Sequence, residues 1–365
     1  MHNCALVFTV ASAQPNTRVI DAGCTIGGET VRRFQGALLC AMTAAALCVA
    51  GCGDDDPDKA EATTQATKVA KVAYLDSSSN TFVAAEHEGF NEVIKAQGGS
   101  VKQYNSNFDP QKQFTQCQDA IATGRYNVIV LSIFDPPTGV PCVKAAKAAN
   151  IPVISAGTPA GTDADDLKPQ VDGVLGGVYI TPATNARNGV ELTTLACEGL
   201  DPCKVVVEVI TPTDPVTNLV ADQIKAKVPN VEIVQKIVTG FDPAQIAKQM
   251  PDILSATPDL DVFVAGADTQ ALAALPALKD AGMDGKVKVL GSGGSREGVA
   301  AIKDGSLFGS HGSWPVQMGK LVAEMVIKGL NGQKIDPIGV DALLMDEPRI
   351  LTKETVDQFS PEWGN

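Results

Sequence analysis

The chain has 365 residues, 44% of them hydrophobic and only 5% aromatic, and a formal net charge of −13. That length suits about two domains. The acidity excludes nucleic acid as a partner, because phosphate binding needs a basic face, and reads instead as an aid to solubility.

The first segment is read as targeting and not as fold. Arg32-Arg33 precedes a mostly apolar run from Gly36 to Ala50. A positive n-region and an h-region of this length make a signal peptide, too short for a membrane span. The run ends in Leu47-Cys48-Val49-Ala50-Gly51-Cys52, which resembles a bacterial lipobox, so Cys52 is expected to be lipidated. Residues 1–30 carry no such pattern and read as an overcalled start, with translation beginning near Val31. The leader is therefore 1–52. Residues 53–68, acidic and poor in large apolar side chains, read as a flexible tether.

From Lys71 the pattern becomes β/α. Val72 to Leu75 is a short apolar strand, and Asp76 to Thr81 a polar loop. A helix follows, with Val83, Phe90, Val93 and Ile94 on one face, stopped by Gly98-Gly99. Further strands are expected at Val101–Tyr104, Val128–Leu131 and Ile151–Ser155. Helices are expected from Gln111 to about Thr123, opened by Phe108-Asp109-Pro110, and from Cys142 to Ala149. Ser132 to Pro141 reads as a Pro-rich loop, and Val171 to Ile180 as a crossover strand or loop.

A second series begins with the helix Asn185–Ala196. Strands follow at Lys204–Ile210, Glu232–Val238, Val262–Ala265 and Val287–Leu290. Helices follow at Thr217–Lys227, after Phe241-Asp242-Pro243, and at Thr269–Asp280, Arg296–Lys303 and Pro315–Gly329. Asn107-Phe108-Asp109-Pro110 in the first half is echoed by Gly240-Phe241-Asp242-Pro243 in the second. Two similar α/β lobes imply a cleft between them, a favoured place for a ligand.

Four cysteines fall in the folded part: Cys117, Cys142, Cys197 and Cys203. An even number in an exported chain reads as disulfides. Cys197 and Cys203 are separated by a short loop. Cys117 and Cys142 sit near the starts of consecutive helices, so the pairs are expected in that combination. A metal site is disfavoured, since no CxxC and no nearby His support it.

Motifs of catalysis are missing. Gly291-Ser292-Gly293-Gly294 fails GxGxxG, and no Walker A, GxSxG or HExxH pattern occurs. Only His2, His87 and His311 are present. The strand-end carboxylates Asp135, Asp214 and Asp268 are read as helix caps before catalysts. No enzyme, cofactor or metal is expected.

The order and spacing of several stretches resemble the type I periplasmic binding proteins of the ribose and galactose class, the solute receptors of ABC importers. These are Asn150-Ile151-Pro152-Val153-Ile154, Phe108-Asp109-Pro110, Gln118-Asp119-Ala120-Ile121, Lys303-Asp304-Gly305 and Val316-Gln317-Met318-Gly319. The resemblance implies two Rossmann-like, doubly wound lobes joined by three crossover strands, near Tyr179-Ile180, His311-Gly312 and Val340-Asp341. The N-terminal lobe would hold 69–180 with 313–340, and the C-terminal lobe 181–312 with 341–360. Carried over residue by residue, the ligand wall would include Asp76, Ser77, Asn80 and Phe82 after the first strand, and Ser132 and Asp135 after the third.

Elsewhere the match thins. The family's Asp-Arg pair falls at Gly157-Thr158, its second-lobe Arg near Asn218, and its second aromatic plate at Phe241. Its Asn falls at Ala267 beside Asp268, its last Asp at Gly293, and its final Gln at Ser313 beside Trp314. The cleft should therefore be less polar than a hexose receptor's.

The expectation is a lipid-anchored, extracytoplasmic, monomeric solute-binding protein that delivers a small sugar-like ligand to an ABC importer permease. Its membrane contact would be through the lipid alone, at the outer face of the cytoplasmic membrane. The alternatives are a sensory module that presents its closed form to a membrane receptor, a receptor for a small aromatic compound, and an exported enzyme.

Overall fold

The structure is a computed structural model that describes residues 68–212, 214–340 and 346–365. The leader with Cys52, most of the tether, and Asp341 lie outside the described residues. In chain order the first half runs β1 (Lys71–Asp76), α1 (Thr81–Ala96), β2 (Ser100–Asn105), α2 (Pro110–Ala122), β3 (Val128–Ile133), α3 (Pro136–Ala148), β4 (Val153–Gly157) and β5 (Val174–Tyr179). The second runs α4 (Pro182–Ala196), β6 (Cys203–Val209), α5 (Pro215–Lys227), β7 (Val231–Val238), α6 (Pro243–Ala256), β8 (Val262–Val264), α7 (Asp268–Asp280), β9 (Lys288–Leu290), α8 (Arg296–Asp304) and β10 (Gly309–His311). Then come α9 (Pro315–Leu330), β11 (Ile338–Gly339) and β12 (Ile350–Thr352).

Two six-stranded sheets form, in the orders β11-β5-β4-β3-β1-β2 and β12-β10-β9-β8-β6-β7. The second repeats the order of the first. Only β12, against β10, is antiparallel among the described pairings. Burial follows position. The central strands β1 and β3 are almost wholly buried, as helices on both faces require. The edge strands β2 and β7 are largely exposed or half-buried. The chain passes between the sheets three times: after β5, between β10 and α9, and between β11 and β12.

One stretch departs from the sequence reading. Ser132 to Pro141, expected as a loop, contains the start of α3. Pro136 and Pro137 occupy the first turn, where a missing N–H costs nothing and the ring presets φ. Cys142 therefore lies mid-helix, as does Cys117 in α2, and neither is near a helix start. The two Sγ atoms bond with a Cα separation of 5.9 Å. The second disulfide joins Cys197, at the C-cap of α4, to Cys203, the first residue of β6.

Helices α1 and α9 cross at backbone contact. A Cβ on Gly319 would lie 1.9 Å from the Glu86 carbonyl oxygen, and one on Gly89 1.9 Å from that of Val316. Two glycines thus set the depth at which the first turns of α1 sit beside the cleft.

Candidate functional site

In a sheet of order 2-1-3-4-5 the strand ends diverge between β1 and β3, and a crevice opens at their carboxyl ends. The second sheet repeats this between β6 and β8. The two crevices face each other around a cavity of about 280 Å³. The first lobe contributes Ser77, Asn80 and Phe82 after β1, Ser132 and Phe134 at the end of β3, and Thr158 after β4. The second contributes Glu208 from β6 and Ile210 just after it, Thr217 from α5, Phe241, Gly266 and Ser292. No lysine or arginine is among the described residues that line it.

Of the residues expected here, Ser77, Asn80, Phe82, Ser132, Thr158 and Phe241 line this cavity, and Gly293 lines its outer extension. Asn80 has a second role, since its Oδ1 accepts from the Val83 N–H at 2.9 Å and caps α1. The others are not among the residues that line the cavity. Asp76 is buried with Oδ2 2.8 Å from His87 Nε2. Asn218 donates to the carbonyls of Thr211, Pro212 and Asp214. Asp268 is fully buried and accepts from the Ser295 N–H and the Ser310 hydroxyl, both at 2.6 Å, tying α7 to α8 and β10. Asp135 stands at the N-cap of α3 but its carboxylate makes no cap hydrogen bond. Trp314 is buried against Phe359, its Nε1 donating to Glu347 at 3.0 Å. The tryptophan at the cleft is Trp363, which lines the outer extension, packs on Phe82 with ring centroids 5.5 Å apart, and donates to the Gly293 carbonyl at 2.6 Å.

Three lining features escaped the sequence reading. Glu86, on α1, is buried, and the Tyr74 hydroxyl donates to its Oε1 at 2.7 Å. Burial pushes its carboxyl up to about 7, the Tyr74 bond opposing and the Asp76 charge reinforcing that rise. Glu208 is likewise buried and raised by desolvation, while bonds from the Gly266 N–H (2.7 Å) and the Thr239 hydroxyl pull the other way. Both had a visible signal. Glu86 lies on the stripe of Val83, Phe90 and Ile94, and Glu208 interrupts an apolar strand.

The third feature is aromatic. Phe108 meets Phe134 at 5.5 Å and Phe241, from the opposite lobe, at 6.5 Å, both edge to face. The echoed loops share a backbone as well as a sequence. Asn107 and Phe108 have φ of 55° and 59°, and Gly240 and Phe241 have 63° and 61°. A left-handed phenylalanine is strained, and hydrogen bonds hold it: Phe108 N–H to the Ser77 carbonyl at 2.6 Å, Phe241 N–H to the Thr239 hydroxyl at 3.2 Å.

Among the described residues no group of His, Cys, Asp or Glu could hold a metal ion. The arrangement can enclose a small molecule, stack rings on it and offer it hydrogen-bond acceptors.

Comparison with known proteins agrees with this geometry. The chain is 28% identical to the xylitol-binding protein of Mycolicibacterium smegmatis over 325 residues, covering 87% of this chain and 86% of that protein. It is 24% identical to the ribose import binding protein RbsB of Bacillus subtilis, covering 80% and 93%. Among solved structures, an ABC transporter solute-binding protein from Mycobacterium smegmatis with bound glycerol superposes with a TM-score of 0.68 at 24% identity, covering 82% of this chain and all of that one. One from Bacillus halodurans with bound myo-inositol gives 0.69 at 17% identity, covering 80% and 98%. The model of the periplasmic binding protein domain matches residues 72–334, most of the two lobes and every strand that faces the cleft, and the chain belongs to that family.

Proposed function

We propose that this protein captures a small sugar or polyol outside the cytoplasm by closing its lobes on it, and delivers it to an ABC importer. The observation that carries this is the cavity itself, walled by strand ends of both sheets, so that one ligand touches both lobes and shifts them toward closure. Relatives that bind xylitol and ribose support the ligand class. The lining supports a ligand less hydroxylated than a hexose. Buried polar groups left unpaired cost about 1–3 kcal/mol each, and here Thr158, Gly266 and four phenylalanines stand where a hexose would need more hydrogen-bonding side chains. The aromatic cluster also favours a small aromatic compound as second reading. Lipidation of Cys52 would hold the protein at the membrane.

The test is a thermal-shift screen followed by calorimetry with pentitols, pentoses, hexoses and aromatic acids. A pentitol or pentose should raise the melting temperature most. Stabilisation by aromatic acids alone would move the reading to the second class, and no stabilisation by any sugar or polyol would overturn the first.

A further inference from the structure

The lining of the cavity is one-sided in charge. Glu86 enters from the first lobe and Glu208 from the second, and no described lining residue is a lysine or arginine. Asp135 and Asp214, at the N-caps of α3 and α5 in opposite lobes, lie close enough for the Asp214 charge to add to the burial that pushes Asp135 up. The one imidazole in the described lining is His311, whose Nε2 lies 3.1 Å from the Ser292 hydroxyl. His87, next to Glu86 in sequence, turns its Nε2 to Asp76.

Glu86 is the decisive group. It is 6% exposed, and Tyr74 satisfies and fixes Oε1. Oε2 has no hydrogen-bond partner among the described residues, and the side chain lines the cavity. A desolvated carboxylate with one open oxygen gains most from a partner that brings positive charge. Phe82, Phe108 and Phe241 line the same cavity, and aromatic rings attract cations to their faces. Glu208 differs, since each of its oxygens already accepts from the protein. It contributes its charge from the facing wall rather than an open acceptor.

We propose that the ligand is an amine-bearing sugar or polyol, its ammonium group set against Glu86, and that this cavity discriminates by charge: amine over neutral, neutral over acid. This rests on the polyol reading of the same cavity.

The test is calorimetric titration of the wild-type protein with a matched trio at pH 7.5: xylitol, 1-amino-1-deoxyxylitol and xylonate. The amine should bind at least about 10-fold tighter than xylitol, and xylonate should not bind measurably; a tenfold ratio corresponds to about 1.4 kcal/mol. Glu86→Gln keeps the shape and the acceptor for Tyr74 but removes the charge, and should bring amine and neutral polyol to within about twofold. Xylitol binding as tightly as the amine overturns the charge inference and leaves the polyol reading standing. So does an amine preference that survives Glu86→Gln. Failure of all three to bind overturns the charge inference, and the polyol reading falls with it only if the wider screen of sugars and polyols is also blank. The wild-type comparison needs no variant, so it decides even if Glu86→Gln folds poorly.

Discussion

Glu86 sits where an amphipathic helix ordinarily carries a leucine. Its neighbours at i−3, i+4 and i+8 are Val83, Phe90 and Ile94, the apolar stripe of α1. Burial raises its carboxyl from 4.5 to about 7, so the folded protein holds the proton more tightly than the unfolded chain. Stability from this group is therefore full below pH 4.5 and falls as pH rises toward 7, by roughly 3 kcal/mol in all from 1.36 kcal/mol per unit. Glu86→Gln cannot ionise. In ligand-free protein its melting temperature relative to wild type should rise between pH 5 and pH 8, and a difference that stays flat across that range would refute the buried-charge account. The comparison reads the Glu86 charge together with its coupling to the neighbouring Asp76. A periodicity count marks such a residue as an error in an apolar face; only the cavity on that side shows why it is tolerated.

At the scale of elements, the two Phe-Asp-Pro loops are the clearest case of structure written in sequence. Asp109 and Asp242 cap α2 and α6, and each following Pro takes the first helical position. The left-handed turn before each cap throws its phenylalanine into the gap, which no propensity argument about either loop alone would reveal. Phe241→Ala should weaken ligand affinity by about 1–3 kcal/mol, judged from the area a ring buries. Phe108→Ala should do the same, since it meets Phe241 directly. Titration calorimetry beside a melting curve separates the outcomes: unchanged affinity with a lowered melting temperature would make them packing residues only. The β/α alternation was legible because its apolar runs and Pro or Gly boundaries are local. The start of α3 was not, because three prolines in one stretch resemble a loop until the first-turn position of two of them is known. Trp363 was missed, and Trp314 put in its place, for a similar reason. Which indole reaches a cleft depends on how the chain end folds back, and no local pattern encodes it.

For the molecule as a whole, the repeated strand order makes two comparable rigid halves. Each carries one disulfide within itself, α2 to α3 and α4 to β6, and neither bond links the halves. Covalent restraint therefore leaves the opening motion free. The family fold and its cleft were legible from the order of motifs, while the contacts inside the cleft depended on pairings between residues far apart in sequence, such as Tyr74 with Glu86 and Phe108 with Phe241.

The last few residues touch both halves. The Glu362 carboxylate accepts from the Val316 and Gln317 N–H groups at the start of α9, at 2.7 and 3.3 Å, while Arg296 of α8 donates to the carbonyls of Glu362 and Gly364. Trp363 lies between, against Phe82 and under Gly293. The tail is thus a wedge set between the two halves. Deleting residues 362–365 should change how readily the halves part, measured as altered affinity and a larger radius of gyration in solution scattering, with the disulfide-stapled halves still folded. A trimmed protein that scatters and binds as before would show that the wedge carries no load. A reporter dye or purification handle fused at this end would, by the same logic, act as a dial on ligand release.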